Sequence, residues 1–217
     1  MQFKSLVLAA VLSLTHVQAL TAKDVTNSLS NITTLAADTL DLVKGLNTEN
    51  VEADGLQAFK NFRQIVHDAN ETTTMISAST SGNSTFAKDD QKDLCDTFTG
   101  VSPHFHRVTS VETKELQFVK TQQDLLQALV SQKGLLGPIP LSMPIAAILR
   151  FLETYVDRLS LAVIGTVPTC AEESKMELKG LDKNFNETLD AYPIKLHLPE
   201  SNGTSLEAFL EAYLEGQ

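Results

Sequence analysis

From Leu135 to Pro168 the chain reads LLGPIPLSMPIAAILRFLETYVDRLSLAVIGTVP, and no other stretch restricts the fold as much. At about 100° per residue, Ile145, Leu149, Leu152, Val156, Leu159 and Val163 fall on one stripe, which Ile148, Phe151, Tyr155 and Ala162 widen. Ser142 and Pro144 suit a helix start, and Gly165 followed by Pro168 suits a stop. The segment is long enough to be weighed as a membrane span. Its charges decide against that, because Arg150, Glu153, Asp157 and Arg158 would each cost roughly 2.5–3.5 kcal/mol at the bilayer centre. The predicted helix therefore packs on protein and keeps one polar edge in water.

The same rhythm recurs along the chain. Val25, Leu29, Ile32, Ala36, Leu40 and Val43 share one face of a helix predicted from Lys23 to Leu46. In a second helix Leu56, Phe59, Phe62, Val66 and Ala69 recur at threes and fours, and Ser77 to Thr85 reads as a polar turn. A third begins near Ala87, with Leu94, Cys95, Phe98, Val101, Phe105 and Val108 as core positions; Gly100 and Pro103 predict a bend in it. Leu116, Val119, Leu126 and Leu129 mark a fourth between Val111 and Val130. The short proline-rich link into the central helix is of the kind antiparallel neighbours use. Leu178, Leu181, Phe185, Leu189 and Tyr192 mark a further helix running up to Pro193.

Beyond it the period changes: Ile194, Leu196 and Leu198 alternate with Lys195 and His197, which predicts an extended strap. Thr204 and Glu207 then form a capping-box pattern ahead of a short amphipathic helix. The expectation is an all-α protein, an up-and-down bundle of about five to six amphipathic helices over residues 20–192, with residues 193–217 as strap and closing helix.

Residues 1–19 read as a secretory signal peptide: Lys4, an apolar core from Leu6 to Leu14, and Val17-Gln18-Ala19 before a cut. Five N-x-S/T sequons, at Asn31, Asn70, Asn83, Asn186 and Asn202, fit a glycosylating export route. On its helix Asn31 lies about 200° from Leu29, clear of the buried stripe. Asn70 poses a conflict: if its helix runs on to Ile76, either the helix bends or this sequon stays bare. Cys95 and Cys170, an even pair in an oxidising compartment, are expected to form one disulfide. The formal net charge of -10 would repel nucleic acid and anionic headgroups, so neither is an expected partner. No apolar run of about 10–20 residues closes the C-terminus, so a released protein is expected, not a glycolipid-anchored one.

Chemistry-bearing patterns are sparse. His104 and His106 can share a metal only on extended backbone and have no further ligand at zinc spacing; no metal and no cofactor is expected. G-x-S-x-G, H-E-x-x-H, phosphate-loop and dinucleotide signatures are absent, which favours a binder over an enzyme. The pairs Asp89–Asp90 and Glu172–Glu173 suit solvated helix starts. What remains is apolar surplus, with stripes wider than a two-helix seam needs. Two readings stay open, a filled core or a channel for an acyl chain or sterol, with Ile148, Leu152, Tyr155 and Leu159 as candidate lining.

The leader, the striped helix from Lys23, K-G-L-L at Lys133 to Leu136, L-R-F-L-E-T-Y-V-D from Leu149 to Asp157 and V-P at Val167–Pro168 together resemble the fungal secreted hydrophobic surface-binding protein A family, which includes cell-wall galactomannoproteins. The resemblance covers roughly residues 20–192. It implies an all-helical bundle of about five helices, in a family some of whose members bind fatty acids in an apolar tunnel or adsorb to hydrophobic surfaces. The Cys95–Cys170 pair, Pro103 and the extension after Tyr192 depart from the family pattern, and no ligand residue carries over. The expected function is that of a secreted, extracellular glycoprotein, associated with the cell wall as the resemblance implies, that binds a hydrophobic small molecule or surface. The alternative is a secreted interaction, effector or inhibitor protein that binds another protein and has no ligand cavity.

Overall fold

The computed structural model describes residues 20–79, 85–99, 117–136 and 142–193. Six helices and no strand occur among them: α1 (Ala22–Lys44), α2 (Val51–Ser79), α3 (Lys88–Thr99), α4 (Phe118–Leu136), α5 (Ser142–Thr166) and α6 (Ala171–Ala191). The predicted leader, Asn83, Pro103, His104, His106, Asn202, the strap and the closing helix lie outside the described residues.

Each helix forms where its local chemistry supports it. α1 opens on a capping box, in which the Thr21 hydroxyl accepts from the Asp24 N–H at 3.2 Å and the Asp24 carboxylate accepts from the Thr21 N–H at 2.9 Å. The Thr21 hydroxyl, which donates to the Asp24 carboxylate at 2.7 Å, and then the Thr21 N–H hold that carboxyl below its ordinary value. Its predicted stripe of Val25, Leu29, Ile32, Ala36, Leu40 and Val43 is buried throughout. α5 begins and ends where Ser142 and Gly165 predict, and all six of its stripe residues are buried. Asp89, Asp90, Glu172 and Glu173 occupy the first turns of α3 and α6, where negative charge faces free N–H groups.

α2 corrects two expectations. It continues unbroken through Asn70 to Ser79, taking in the first residues assigned to a polar turn. Leu56, expected in the core, is exposed, because the buried face runs through Gly55, Ala58, Phe59 and Phe62 and leaves position 56 about 100° away. α4 likewise reaches past Val130 to include Lys133–Leu136.

Five helices close a ring. α1 packs on α2, α2 on α5, α5 on α6, α6 on α4, and α4 returns to α1, while helices across the ring barely touch. Chain direction alternates from α1 to α2 and from α5 to α6, yet spatial neighbours run parallel in places. Gln132 of α4 donates to the Lys44 carbonyl at the end of α1, at 3.5 Å. Asn184, Thr188 and Tyr192 of α6 reach the carbonyls of Gln123, Leu126 and Leu129 in rising order. So α1, α4 and α6 all point one way. α4 and α5, joined by the short proline-rich link, are not packed side by side; α5 crosses to lie between α2 and α6.

α3 closes one end of the ring, against α1, α4 and α6. Phe98 stacks on Phe118 with centroids 5.7 Å apart, and Cys95 is bonded to Cys170 at the head of α6. The disulfide spans 75 residues of sequence, as expected of the pair, and in the chain-entropy model such a loop stabilises by at most about 4–5 kcal/mol. Gln91, nearly fully buried, completes the closure. Its Nε2 donates to the Phe86 carbonyl at 2.6 Å, and its Oε1 accepts from the Thr169 N–H and hydroxyl at 3.1 and 2.8 Å.

Candidate functional site

The inside of the ring is the site with the most distinctive chemistry. Helices packed at 8–10 Å spacing put the centre of a ring of five about 7–8.5 Å from each axis, against about 6–7 Å for four. That centre has to be occupied by inward side chains or by something else apolar. Of the candidate lining residues, Ile148, Leu152 and Leu159 are completely buried on α5. Tyr155 is half-buried at the edge of the stripe, where the Arg158 guanidinium lies 5.7 Å from its ring centroid. From the other helices Leu29 and Ile32 of α1, Phe62 and Ile65 of α2, Leu125 of α4 and Leu181 of α6 are buried as deeply.

Among the described residues no buried side chain carries a charge. Those that are polar mostly bond within their own helix: the Thr33 hydroxyl donates to the Leu29 carbonyl and Thr39 to Leu35, both at 2.6 Å. Gln91 bonds outside its helix, to Phe86 and Thr169, and two others have no partner at all: the Gln122 amide on α4 and the Ser160 hydroxyl on α5 are enclosed without one. No motif marks Gln122 in the sequence, although the spacing Phe118, Gln122, Leu125, Leu129 sets it in the middle of an apolar stripe.

Three other features lie on the outside. His67, Asp68 and Glu71 bring their ligand atoms within 4.8 Å of one another on one helix, with His67 and Glu71 exposed to solvent. A groove of about 610 Å³ between α1 and α2 is floored by Leu35 and Leu42 and edged by Asp38, Asp41 and Asp54. On the α5–α6 seam, partial burial raises the carboxyl of Glu153, helped by repulsion from Asp182 and Asp157 and opposed by Arg150. Asp182 is raised by burial and then by Asp157.

The described sequons share one geometry. Asn31, Asn70 and Asn186 are exposed, while the threonines two positions on, Thr33, Thr72 and Thr188, are buried. Two residues along a helix is a turn of about 200°, so burying the threonine turns the asparagine outward. At Asn70 the helix continues and the side chain is still exposed, because Ala69 and Thr72 occupy the buried face on either side of it.

The fold and its interior define a class: an all-α bundle closed into a ring around a centre that, among the described residues, carries no charge. No protein-family model and no curated protein sequence matches the chain. The crystal structure of AFMP4P in complex with palmitic acid has the same fold, with a TM-score of 0.63 over 79% of this chain and 99% of that one, at 16% sequence identity. None of the described helices is long and apolar enough to cross a membrane.

Proposed function

We propose that this protein is a secreted, N-glycosylated carrier that acts by binding an apolar ligand of the fatty-acid or sterol type inside its helical ring, and not by catalysis. The observation that carries the reading is the interior itself: five helices surround a centre too wide for a simple two-helix seam, with no buried charge among the described residues. The likeness to a bundle holding palmitic acid supports it, as do the leader-like first residues and the outward Asn31, Asn70 and Asn186. Cell-wall association belongs to the same proposal and rests on the family resemblance.

The test is solvent extraction of the protein purified from a secreting host, followed by lipid mass spectrometry and displacement of a bound hydrophobic dye by palmitic acid. Co-purified lipid and dye displacement are expected; their joint absence would overturn the proposal. The acidic groove at Asp38, Asp41 and Asp54 favours a second reading, in which a partner protein presents a basic side chain to the α1–α2 face. That reading expects binding that weakens with added salt and with Asp41→Asn.

A further inference from the structure

Among the described residues two glutamines are buried, Gln91 and Gln122, and their circumstances differ. Gln91 has its amide bonded at both ends. Gln122 is completely enclosed, and neither its Nε2 nor its Oε1 meets a partner. Folded proteins rarely leave a buried amide in that condition, because water is removed from it with no bond in exchange.

The flanks of α4 show where Gln122 points. The Gln123 carbonyl accepts from Asn184 of α6 at 3.5 Å, so the flank about 100° to one side of Gln122 faces α6. Gln132, about 80° to the other side, donates to the Lys44 carbonyl of α1. Gln122 lies between the two seams and is directed at the centre of the ring. The bond from Asn184 also sets its height: Gln122 lies at the level of the α6 turn between Leu181 and Phe185, both buried.

An amide offers a donor and an acceptor side by side. Its best complement is an oxygen group that also does both, a hydroxyl or a protonated carboxyl. A carboxylate anion would face the Gln122 Oε1 with like polarity, and no buried cation among the described residues would balance it. An ester supplies acceptors alone. Building on the ligand-binding reading above, we propose that Gln122 selects the polar end of the ligand, so that the preferred occupant is an apolar chain or ring system ending in a proton-bearing oxygen.

The experiment measures the affinities of hexadecanol, palmitic acid and methyl palmitate for the wild-type protein and for Gln122→Met, which keeps the shape and removes the amide. Loss of both bonds weakens hexadecanol and palmitic acid about tenfold, while methyl palmitate changes less than about threefold. An equal shift for all three ligands overturns the assignment, since it marks Gln122 as structural filling. If none of the three binds the wild-type protein, the ligand-binding reading falls instead, and the two failures are told apart in one data set. Circular dichroism checks that Gln122→Met folds, with a melting temperature expected at or above wild type because an unpartnered amide has been removed. Gln122→Asn, which draws the amide back by one methylene, gives the same contrast between ligands if the methionine variant does not fold.

Discussion

The Tyr192 hydroxyl donates to the Leu129 carbonyl oxygen at 2.8 Å, across 63 residues of sequence and inside the bundle. This bond holds the end of α6 against α4. Tyr192→Phe keeps the ring and removes the donor, so it should lower stability by about 1 kcal/mol in urea unfolding with little change in slope. Burial also pushes the phenol above its ordinary value. Above about pH 10 the unfolded chain loses a proton that the folded one keeps, so stability should fall with rising pH there, and less steeply in the phenylalanine variant.

Reduction of Cys95–Cys170 releases α3 from the head of α6. Stability should drop by up to about 4–5 kcal/mol, read as a lower melting temperature with reductant. Cys95→Ala with Cys170→Ala should melt at the reduced temperature whether or not reductant is present. A double variant as stable as the oxidised protein would show that the Gln91 bonds and the Phe98–Phe118 stack are enough to close that end.

Leu152 and Leu161 are the same residue type on the same helix, one fully buried and the other 55% exposed. Leu152→Ala should cost about 2–5 kcal/mol, and Leu161→Ala should stay within about 0.5 kcal/mol. Equal costs in chemical denaturation would mean that α5 is rotated from the orientation described.

The carboxyls of Glu153 and Asp182 are raised in the folded protein, so over the window between their unfolded and folded values the native state holds more protons than the unfolded one. Stability contributed by this seam is therefore greatest below the ordinary carboxylate range and declines as pH rises through the raised values. Asp182→Asn should raise the melting temperature at neutral pH and change it little in acid. A larger gain in acid than at neutrality would contradict the repulsion described.

Asn31, Asn70 and Asn186 are exposed, so in protein expressed through a glycosylating secretory host, as the proposed function requires, Asn→Gln at each should remove one glycan's mass without unfolding it. Endoglycosidase treatment of the three single variants checks this. A variant whose mass equals wild type identifies an unused sequon.

Much of the fold was legible because helical burial leaves a period in the sequence. The stripes of α1 and α5 read correctly residue by residue, and so did the stop at Gly165. Errors came where the period admitted two faces. Leu56 is apolar and correctly spaced, but a wider face containing Gly55, Ala58, Phe59 and Phe62 buries more area. Thr21 and Asp24 form a capping box although Asp, not the Glu or Gln of the usual pattern, stands at its third position. In the interior, Gln122 shows the limit most plainly. Its place in the α4 stripe is visible in the spacing, whereas its lack of a partner depends on what α1, α5 and α6 bring to that level.

Spacing by itself determined that this chain forms amphipathic helices, which faces they bury and that Cys95 and Cys170 can pair, since each depends on residues close in sequence or on a pair without competitors. Only the tertiary structure decided the order of the helices around the ring, the parallel run of α1, α4 and α6, and the separation of α4 from α5. Any apolar stripe can bury itself against any other, so the choice among neighbours falls to shape and to a few long-range bonds, such as Gln132 to Lys44 and Tyr192 to Leu129.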